Sequence, residues 1–271
     1  MSAPRPDHAG APVAAGGVPL ALWLGYWRFW QRYHRYTVEG LEHLDGPPAL
    51  IVGYHGRPLA YDMCMLTVAL YDRLGYLPHG FVHRGTRLVG ALRWFTDGLG
   101  FVTEDGDGLA AAIARGEHLV TTPGGGDEGC RDFRERYRVR WGEHLGYLRL
   151  ALKYRLPIVP VAADGADDTY IGLVDTVVAG RVLGVPRRWA WALWTGIGPL
   201  GLYPFSPPFP VRFRQIVGAP IDLAAEAAPR SIDAPRFLDD REGLLRLHGR
   251  VTGAVQALLD RARRRPLVRD T

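Results

Sequence analysis

Serine and lysine are scarce in this chain of 271 residues. Its serines are Ser2, Ser206 and Ser231, and none of them stands in a G-x-S-x-G turn. This argues strongly against a serine hydrolase of the α/β-hydrolase kind. Lys153 is the one lysine, and the sequence has no G-x-x-x-x-G-K-[ST] loop. A nucleotide-binding fold of the P-loop kind therefore lacks its main sequence support.

Cysteine is equally rare, and metal-binding motifs are missing. Cys64 and Cys130 form no spaced framework, which favours a reducing compartment. The sequence contains no H-E-x-x-H and no C-x-x-C. His79 and His83 are four positions apart, but they flank the strand-like GFV rather than one face of a helix. We therefore expect neither a metal site nor a bound cofactor.

Composition and charge are those of an ordinary globular protein. Hydrophobic residues make up 47% of the chain and charged residues 23%, far from the composition of a disordered chain. The net charge of +5 comes almost entirely from arginine and suits anionic lipid or a phosphate-bearing ligand. Nucleic-acid binding is not expected, because no motif for it is present and the arginines form no stripe. Residues 1–17 predict a flexible leader without a signal sequence, and residues 18–271 a single domain.

Two apolar segments are rich in tryptophan. The first, VPLALWLGYWRFW at 18–30, is too short to cross a bilayer but has the aromatic and basic mixture of an interfacial helix, which we expect over 18–36. The second, at 189–205, is repeatedly broken by glycine and proline. We expect it to form a broken hydrophobic arm that is partly embedded in a membrane.

Short apolar runs alternate with segments of helical periodicity from residue 49 to residue 165. The runs at 49–56, 80–84, 117–126 and 156–165 predict strands, and the segments between them predict helices. This order predicts an α/β fold with a mostly parallel central sheet flanked by helices. VRFRQIVGAPIDL at 211–223 predicts a last strand pair or an edge strand, and 241–262 a closing amphipathic helix.

A histidine follows the first of these buried strands. His55 stands at the end of ALIVGY, where open α/β sheets bind ligands, and Asp62 follows seven positions later as a helix begins. A nearby carboxylate can hold the tautomer of an imidazole and stabilise it when it accepts a proton. We therefore predict that His55 is a general base and that Asp62 orients its ring.

Three further blocks follow in order. GFVHR ends in Arg84, a fixed positive charge that can meet a phosphate. TTPGGGDEGCR carries Gly124, Gly125 and Gly126, whose backbone amides can approach a substrate closely and stabilise an oxyanion. The fourth block is the strand P-I-V-P-V at 157–161.

The four blocks in this order resemble the glycerolipid acyltransferase superfamily, the PlsC-like lysophospholipid acyltransferases, over residues 49–165. The third block reads P-G-G-G-D-E instead of the family's F-P-E-G-T-R and is more similar to the branch of the type-2 diacylglycerol acyltransferases. The resemblance places Glu128 as the acidic residue of the loop and Arg131 as a candidate for gripping an acceptor phosphate. The spacing of His55 and Asp62 is wider than the five positions usual in the family.

The resemblance implies an O-acyltransferase that acts at the cytoplasmic face of a membrane. It would move a fatty acyl group from acyl-coenzyme A or an acyl carrier protein to a lipid hydroxyl, in phospholipid or neutral-lipid metabolism. Two alternatives stay open from the residues. One is a non-catalytic lipid-binding protein of the same fold, and the other is a thiol enzyme that uses Cys130 beside His144.

Overall fold

A computed structural model describes residues 15–57, 60–81, 89–103, 107–223, 225 and 240–264. The helices are α1 Gly17–Tyr33, α2 Tyr61–Leu74, α3 Gly90–Gly98, α4 Asp107–Ala114, α5 Gly125–Gly129, α6 Gly146–Tyr154, α7 Thr176–Leu183, α8 Arg187–Ala190 and α9 Arg241–Arg264. The strands are β1 Thr37–Glu39, β2 Leu50–Gly53, β3 His79–Gly80, β4 Leu119–Thr121, β5 Ile158–Asp164, β6 Ile171–Gly172, β7 Gly196–Gly198, β8 Gly201–Leu202 and β9 Arg214–Val217. Three short 3₁₀ turns lie at Leu41–Leu44, Ala166–Thr169 and Trp191–Leu193.

Six strands form the central sheet in the order β1-β9-β5-β2-β4-β3. All of its ladders are parallel except that between β5 and β9, so the predicted α/β fold with a mostly parallel sheet is confirmed. The prediction of a strand pair or an edge strand at 211–223 is wrong. β9 is a single strand inside the sheet, because the three-residue β1 pairs along its outer side.

The central strands are apolar throughout because helices cover both faces of the sheet. Leu50 and Ile158 point to the side on which α4, α6 and α9 pack, while Ile51 and Val159 point to the side of α2. The parallel register sets Leu50 opposite Ile158 and Leu119. The carboxyl ends of β2, β4 and β5 therefore meet at one edge of the sheet, and the loops that follow them share that edge.

Helix α1 packs one face on α2 and α3 and leaves the other face apolar and exposed. Leu24, Trp27 and Trp30 are buried. The exposed strip repeats at helical spacing and consists of Val18, Leu22, Tyr26 and Phe29. None of the helices in the described part of the chain has the length and apolarity that crossing a bilayer requires.

The segment at 189–205 is broken, as its glycines and prolines predict. It forms the end of α8, one 3₁₀ turn and the strands β7 and β8, and β7 pairs with both β6 and β8 in a small antiparallel sheet. Trp194 is buried, whereas Trp189, Trp191 and Phe205 are exposed. Embedding of this arm in a membrane stays a prediction.

Candidate active site

His55 lies two residues beyond the end of β2, at the carboxyl edge of the sheet. Its ring is partly buried, and its Nδ1 atom lies 2.9 Å from the carbonyl oxygen of Gly56. Because a carbonyl oxygen only accepts, Nδ1 carries the hydrogen and Nε2 keeps its lone pair. Burial lowers the pKa of His55, against the opposing pull of the Gly56 carbonyl. The ring is therefore held neutral near pH 7, in the state that a general base needs.

The backbone of His55 is fixed on both sides. Its N–H donates to Glu128 Oε2 at 2.8 Å, and its carbonyl oxygen accepts from Arg131 Nη2 at 3.4 Å. Both partners are buried and come from the third block, some seventy residues along the chain. The first and third blocks are thus joined at the main chain of the predicted base.

Asp62 stands in the first turn of α2 and contacts the peptide that follows His55 rather than its ring. Its Oδ1 atom accepts from the Gly56 N–H at 3.4 Å, and its buried Oδ2 atom has no hydrogen-bond partner. Burial raises the pKa of Asp62 to about 7. The expected direct hydrogen bond from Asp62 to the ring is therefore not the one formed, because the connecting loop is two residues wider than the usual spacing and the Gly56 carbonyl takes Nδ1.

Glu128 is a buried carboxylate that accepts hydrogen bonds from three N–H groups. Besides the His55 N–H, it accepts from the backbone N–H of Arg140 at 2.7 Å and from Trp141 Nε1 at 3.0 Å. Burial raises its pKa to about 7, and the Arg131 guanidinium 3.8 Å away opposes this rise. Glu128 therefore links the main chain of His55 to residues 140 and 141.

Arg131 belongs to a buried ionic network behind His55. Its Nη2 atom donates to Asp167 Oδ1 at 2.9 Å and contacts the Tyr54 hydroxyl, which in turn donates to Asp167. Asp167 also accepts from the Tyr137 N–H at 2.6 Å, and its carbonyl oxygen accepts from Arg57 Nε at 2.9 Å. Burial opposes ionisation of Asp167, but the two guanidiniums outweigh it and hold its pKa below the ordinary value. The guanidinium of Arg131 is therefore occupied by a carboxylate of the protein itself.

The triple glycine forms the start of a helix rather than an open loop. Gly124 precedes α5, and the Gly125 N–H donates to the Thr122 carbonyl oxygen at 3.0 Å. At the other end of α5, a Cβ atom on Gly129 would lie 2.7 Å from Nδ1 of His55. The glycines thus let this short helix approach the histidine closely.

The hydrophobic arm packs beside α5. Arg187 forms an ion pair with Asp127, and the Cβ atom of Trp191 lies 3.8 Å from where a Cβ atom on Gly126 would stand. Trp194 Nε1 donates to the Arg131 carbonyl oxygen at 3.1 Å. The exposed tryptophans of the arm therefore stand next to the helix that touches His55.

The structure disfavours the cysteine alternative. Cys130 is buried, and burial raises the pKa of its thiol to about 12. His144 is exposed, and its Nδ1 atom contacts the Pro123 carbonyl oxygen at 2.7 Å. Near neutral pH the thiol is thus almost entirely un-ionised, which is the unreactive form.

Sequence reasoning located some site residues and missed others. Arg84 lies outside the described residues, as does His83. His79 has structural contacts with the Gly100 carbonyl oxygen at 2.6 Å and with Glu117 at 2.8 Å. Among the described residues, no cluster of three potential metal ligands exists. The sequence analysis missed Asp167, although its place just beyond the carboxyl end of β5 was a usable signal.

The fold is that of a PlsC-type acyltransferase. The structure is similar to the crystal structure of the 1-acyl-sn-glycerophosphate (LPA) acyltransferase PlsC from Thermotoga maritima, with a TM-score of 0.51 over 91% of this chain and 80% of that chain. The two sequences are 14% identical, so this likeness concerns the fold.

Proteins of greater length are related to the chain in sequence. The chain is 28% identical to a chicken protein named DGAT1/2-independent enzyme synthesizing storage lipids, over 89% of this chain and 67% of that protein. It is 31% identical to an uncharacterized protein of Mycobacterium tuberculosis, over 76% of this chain but 57% of that protein. No family model matches the chain. The predicted relationship to the acyltransferases is confirmed by the fold together with these relatives.

Proposed function

We propose that this protein is an O-acyltransferase that moves a fatty acyl group from a thioester donor to the hydroxyl of a lipid alcohol. The observation that carries the proposal is the neutral imidazole of His55, whose Nδ1 is bound to the Gly56 carbonyl and whose Nε2 lone pair remains for a proton. The PlsC fold and the storage-lipid enzymes among the relatives support the same class of reaction.

In the proposed reaction, Nε2 of His55 takes the proton of the acceptor hydroxyl while the oxygen attacks the thioester carbonyl carbon. The tetrahedral oxyanion then collapses, the carbon–sulfur bond breaks, and the leaving thiolate takes the proton back from the imidazolium. We assign stabilisation of the oxyanion to the backbone amides of Gly124 and Gly126, because the Gly125 N–H already donates to Thr122. The thiol is a good leaving group, so no acyl-enzyme is needed.

A neutral acceptor, such as diacylglycerol or a long-chain alcohol, fits the site better than a lysophospholipid. The arginine expected to grip an acceptor phosphate, Arg131, is buried and ion-paired with Asp167. Withdrawing it to bind a phosphate would leave a buried carboxylate without its partner, which is costly. We therefore propose that Arg131, Asp167 and Glu128 position the main chain of His55.

The donor is proposed to be acyl-coenzyme A or an acyl carrier protein, and the reaction is proposed to occur at the cytoplasmic face of a membrane. Support for the membrane surface comes from the exposed apolar strip of α1 and the exposed tryptophans of the arm. These features lie on segments that the sequence marks as interfacial.

The decisive experiment is turnover of labelled oleoyl-coenzyme A with a panel of lipid alcohols, read as product on a thin-layer plate. His55→Ala should lower kcat about 100-fold or more, because a general base typically contributes about 10²- to 10⁴-fold. His43→Ala is the matched control, since this histidine lies in the 3₁₀ turn after β1, contacts the Val217 carbonyl oxygen and has no part in the mechanism, and it should keep wild-type turnover.

Equal turnover by the His55→Ala variant and the wild type would refute the assignment of the base. Failure of the folded wild-type protein to transfer acyl groups to any acceptor, while it still binds lipid, would instead support the non-catalytic alternative.

A further inference from the structure

A groove on the opposite side of the third block from His55 has the character of a binding site. It lies between α6 and the face of β2 and β4 that carries Leu50 and Thr121, and it encloses a cavity of about 320 Å³. Its wall is α6 from Gly146 to Tyr154, about 13 Å of helix. The groove takes no part in the chemistry assigned to His55.

The groove combines aromatic rings with two cations. Arg149 and Lys153 contribute the charges, and the remaining lining is largely apolar, with the rings of Phe81, Tyr147 and Tyr154 beside Leu50, Leu109 and Leu150. The two cations stand four residues apart on one face of α6, and both side chains are exposed at the rim. A purely apolar ligand would gain nothing from them, so the lining suits a ligand with a flat ring and more than one negative charge.

The groove begins close to the catalytic edge of the sheet. Thr121, which lines it, is the last residue of β4, and Gly124 follows three residues later, at most about 10 Å along the chain. A Cβ atom on Gly124 would lie 2.5 Å from the Cβ atom of Glu128, whose carboxylate holds the His55 N–H. The lining of the groove and the glycines of α5 are therefore close neighbours along the chain.

We propose that this groove binds the phosphorylated nucleotide end of the acyl donor, the 3′-phospho-ADP portion of coenzyme A. The adenine packs against Phe81 and Tyr154, and the phosphates contact Arg149 and Lys153, whose charge-assisted bonds are the strong kind. The pantetheine arm then leads past Thr121 to the glycines of α5. This inference rests on the proposed acyl transfer, because it names the donor of that reaction.

The test compares two donors that share one acyl chain. One is oleoyl-coenzyme A, and the other is the oleoyl thioester of N-acetylcysteamine, which has the thioester but no phosphate or nucleotide. Replacing both cations, Arg149→Ala with Lys153→Ala, should raise KM for oleoyl-coenzyme A about 10-fold or more, the effect of losing strong phosphate contacts. KM for the truncated donor and kcat for both donors should stay at wild-type values.

A matched control, Arg28→Ala with Arg73→Ala, removes two exposed cations from α1 and α2 on the other side of the sheet and should leave both KM values unchanged.

Binding of coenzyme A itself, measured by titration calorimetry, separates this inference from the proposed function. His55→Ala should bind coenzyme A as tightly as the wild type, whereas the double variant should bind it about 10-fold more weakly. If the wild type binds coenzyme A but transfers no acyl group, the proposed acyl transfer is refuted, while the assignment of the groove to coenzyme A is supported. An equal rise in KM for both donors would assign the groove to the acyl chain, and no change for either would leave it without a role in donor binding. Both of these results overturn the proposal.

Discussion

His55 and Asp62 contact the two backbone polar groups of the same residue, Gly56. The ring donates to the Gly56 carbonyl at 2.9 Å, and Asp62 accepts from the Gly56 N–H at 3.4 Å. The carboxylate therefore acts on the base through one long hydrogen bond. The tautomer of the ring is set by a backbone carbonyl, which no side-chain substitution removes.

Asp62→Asn should thus be much milder than His55→Ala. One weak hydrogen bond contributes at most about a 10-fold effect, so we expect kcat to fall about 10-fold or less. The measurement is the kcat of both variants with the same donor and acceptor at pH 7. A loss as large as that of His55→Ala would mean that the carboxylate meets the ring directly during turnover.

At this scale the sequence suggests His55 as the general base, an assignment that stays a prediction, but it does not indicate the residues that hold the main chain of His55. His55 could be singled out from the sequence because it directly follows a predicted buried strand, and such strand ends lie at the carboxyl edge of the sheet. Asp167 and Arg131 are 36 residues apart, and each is one of many charged residues in its segment. Their pairing depends on β5 and α5 ending at the same edge, which only the assembled sheet determines.

Helix α1 has two apolar faces, of which one packs against α2 and the other is exposed. Trp27 and Trp30 pack against Tyr61 of α2, with ring centroids 5.4 Å apart in both cases. Leu22 and Phe29 lie on the other face, with 55% and 56% of their surface exposed. The periodicity of the sequence predicted the helix, but the two faces could not be told apart because both are equally apolar.

The exposed face should bind lipid surfaces. Leu22→Glu with Phe29→Glu should lower partitioning to phosphatidylcholine vesicles about 10-fold or more, because burial of each such side chain is worth about 1.5–3 kcal/mol. Co-sedimentation with the vesicles measures this. The control Gly253→Glu with Ala257→Glu adds the same charge to exposed positions of α9, on the other side of the sheet, and should bind like the wild type. Equal partitioning of both variants would contradict the role of α1.

Among the elements, long periodic segments were predictable and short ones were not. Helices α2 and α9 lie where the pattern places them, and α2 ends before Gly75, whose φ of 78° suits glycine. The three residues of β1 carry no pattern that distinguishes a strand. Because β1 could not be predicted, the position of β9 inside the sheet could not be predicted either.

For the molecule as a whole, two buried carboxyls predict how stability depends on pH. The pKa values of Asp62 and Glu128 are both raised to about 7 by burial, from ordinary values of 3.8 and 4.5. Between about pH 4 and pH 7 these two carboxyls therefore bind more protons in the folded chain than in the unfolded chain, and their contribution to the free energy of unfolding falls as pH rises. The buried histidines contribute with the opposite sign, because burial lowers the pKa values of His34, His55, His118 and His248. Each carboxyl contributes about 1.4 kcal/mol per pH unit at most.

Urea unfolding at several pH values between 4.5 and 7.5 tests this slope. Because the Asp62→Asn variant lacks one of the two carboxyls, its free energy of unfolding should change with pH with a more positive slope than that of the wild type. Asp167 has the opposite sign to Asp62, since its lowered pKa makes the fold lose stability as the pH falls below 3.8. Equal slopes for the variant and the wild type would contradict the raised pKa of Asp62.

The pairing of β1 with β9 has a consequence for synthesis on the ribosome. Thr37 lies opposite Arg214, and the Phe213 N–H donates to the His34 carbonyl oxygen at 3.0 Å. The backbone groups of β1 therefore find their partners only after β9, at residues 214–217, has been synthesised. Such long-range closure is slow, so the nascent chain keeps an unfinished sheet edge until then. We expect it to depend on chaperones during this interval more than a protein whose neighbouring strands are consecutive.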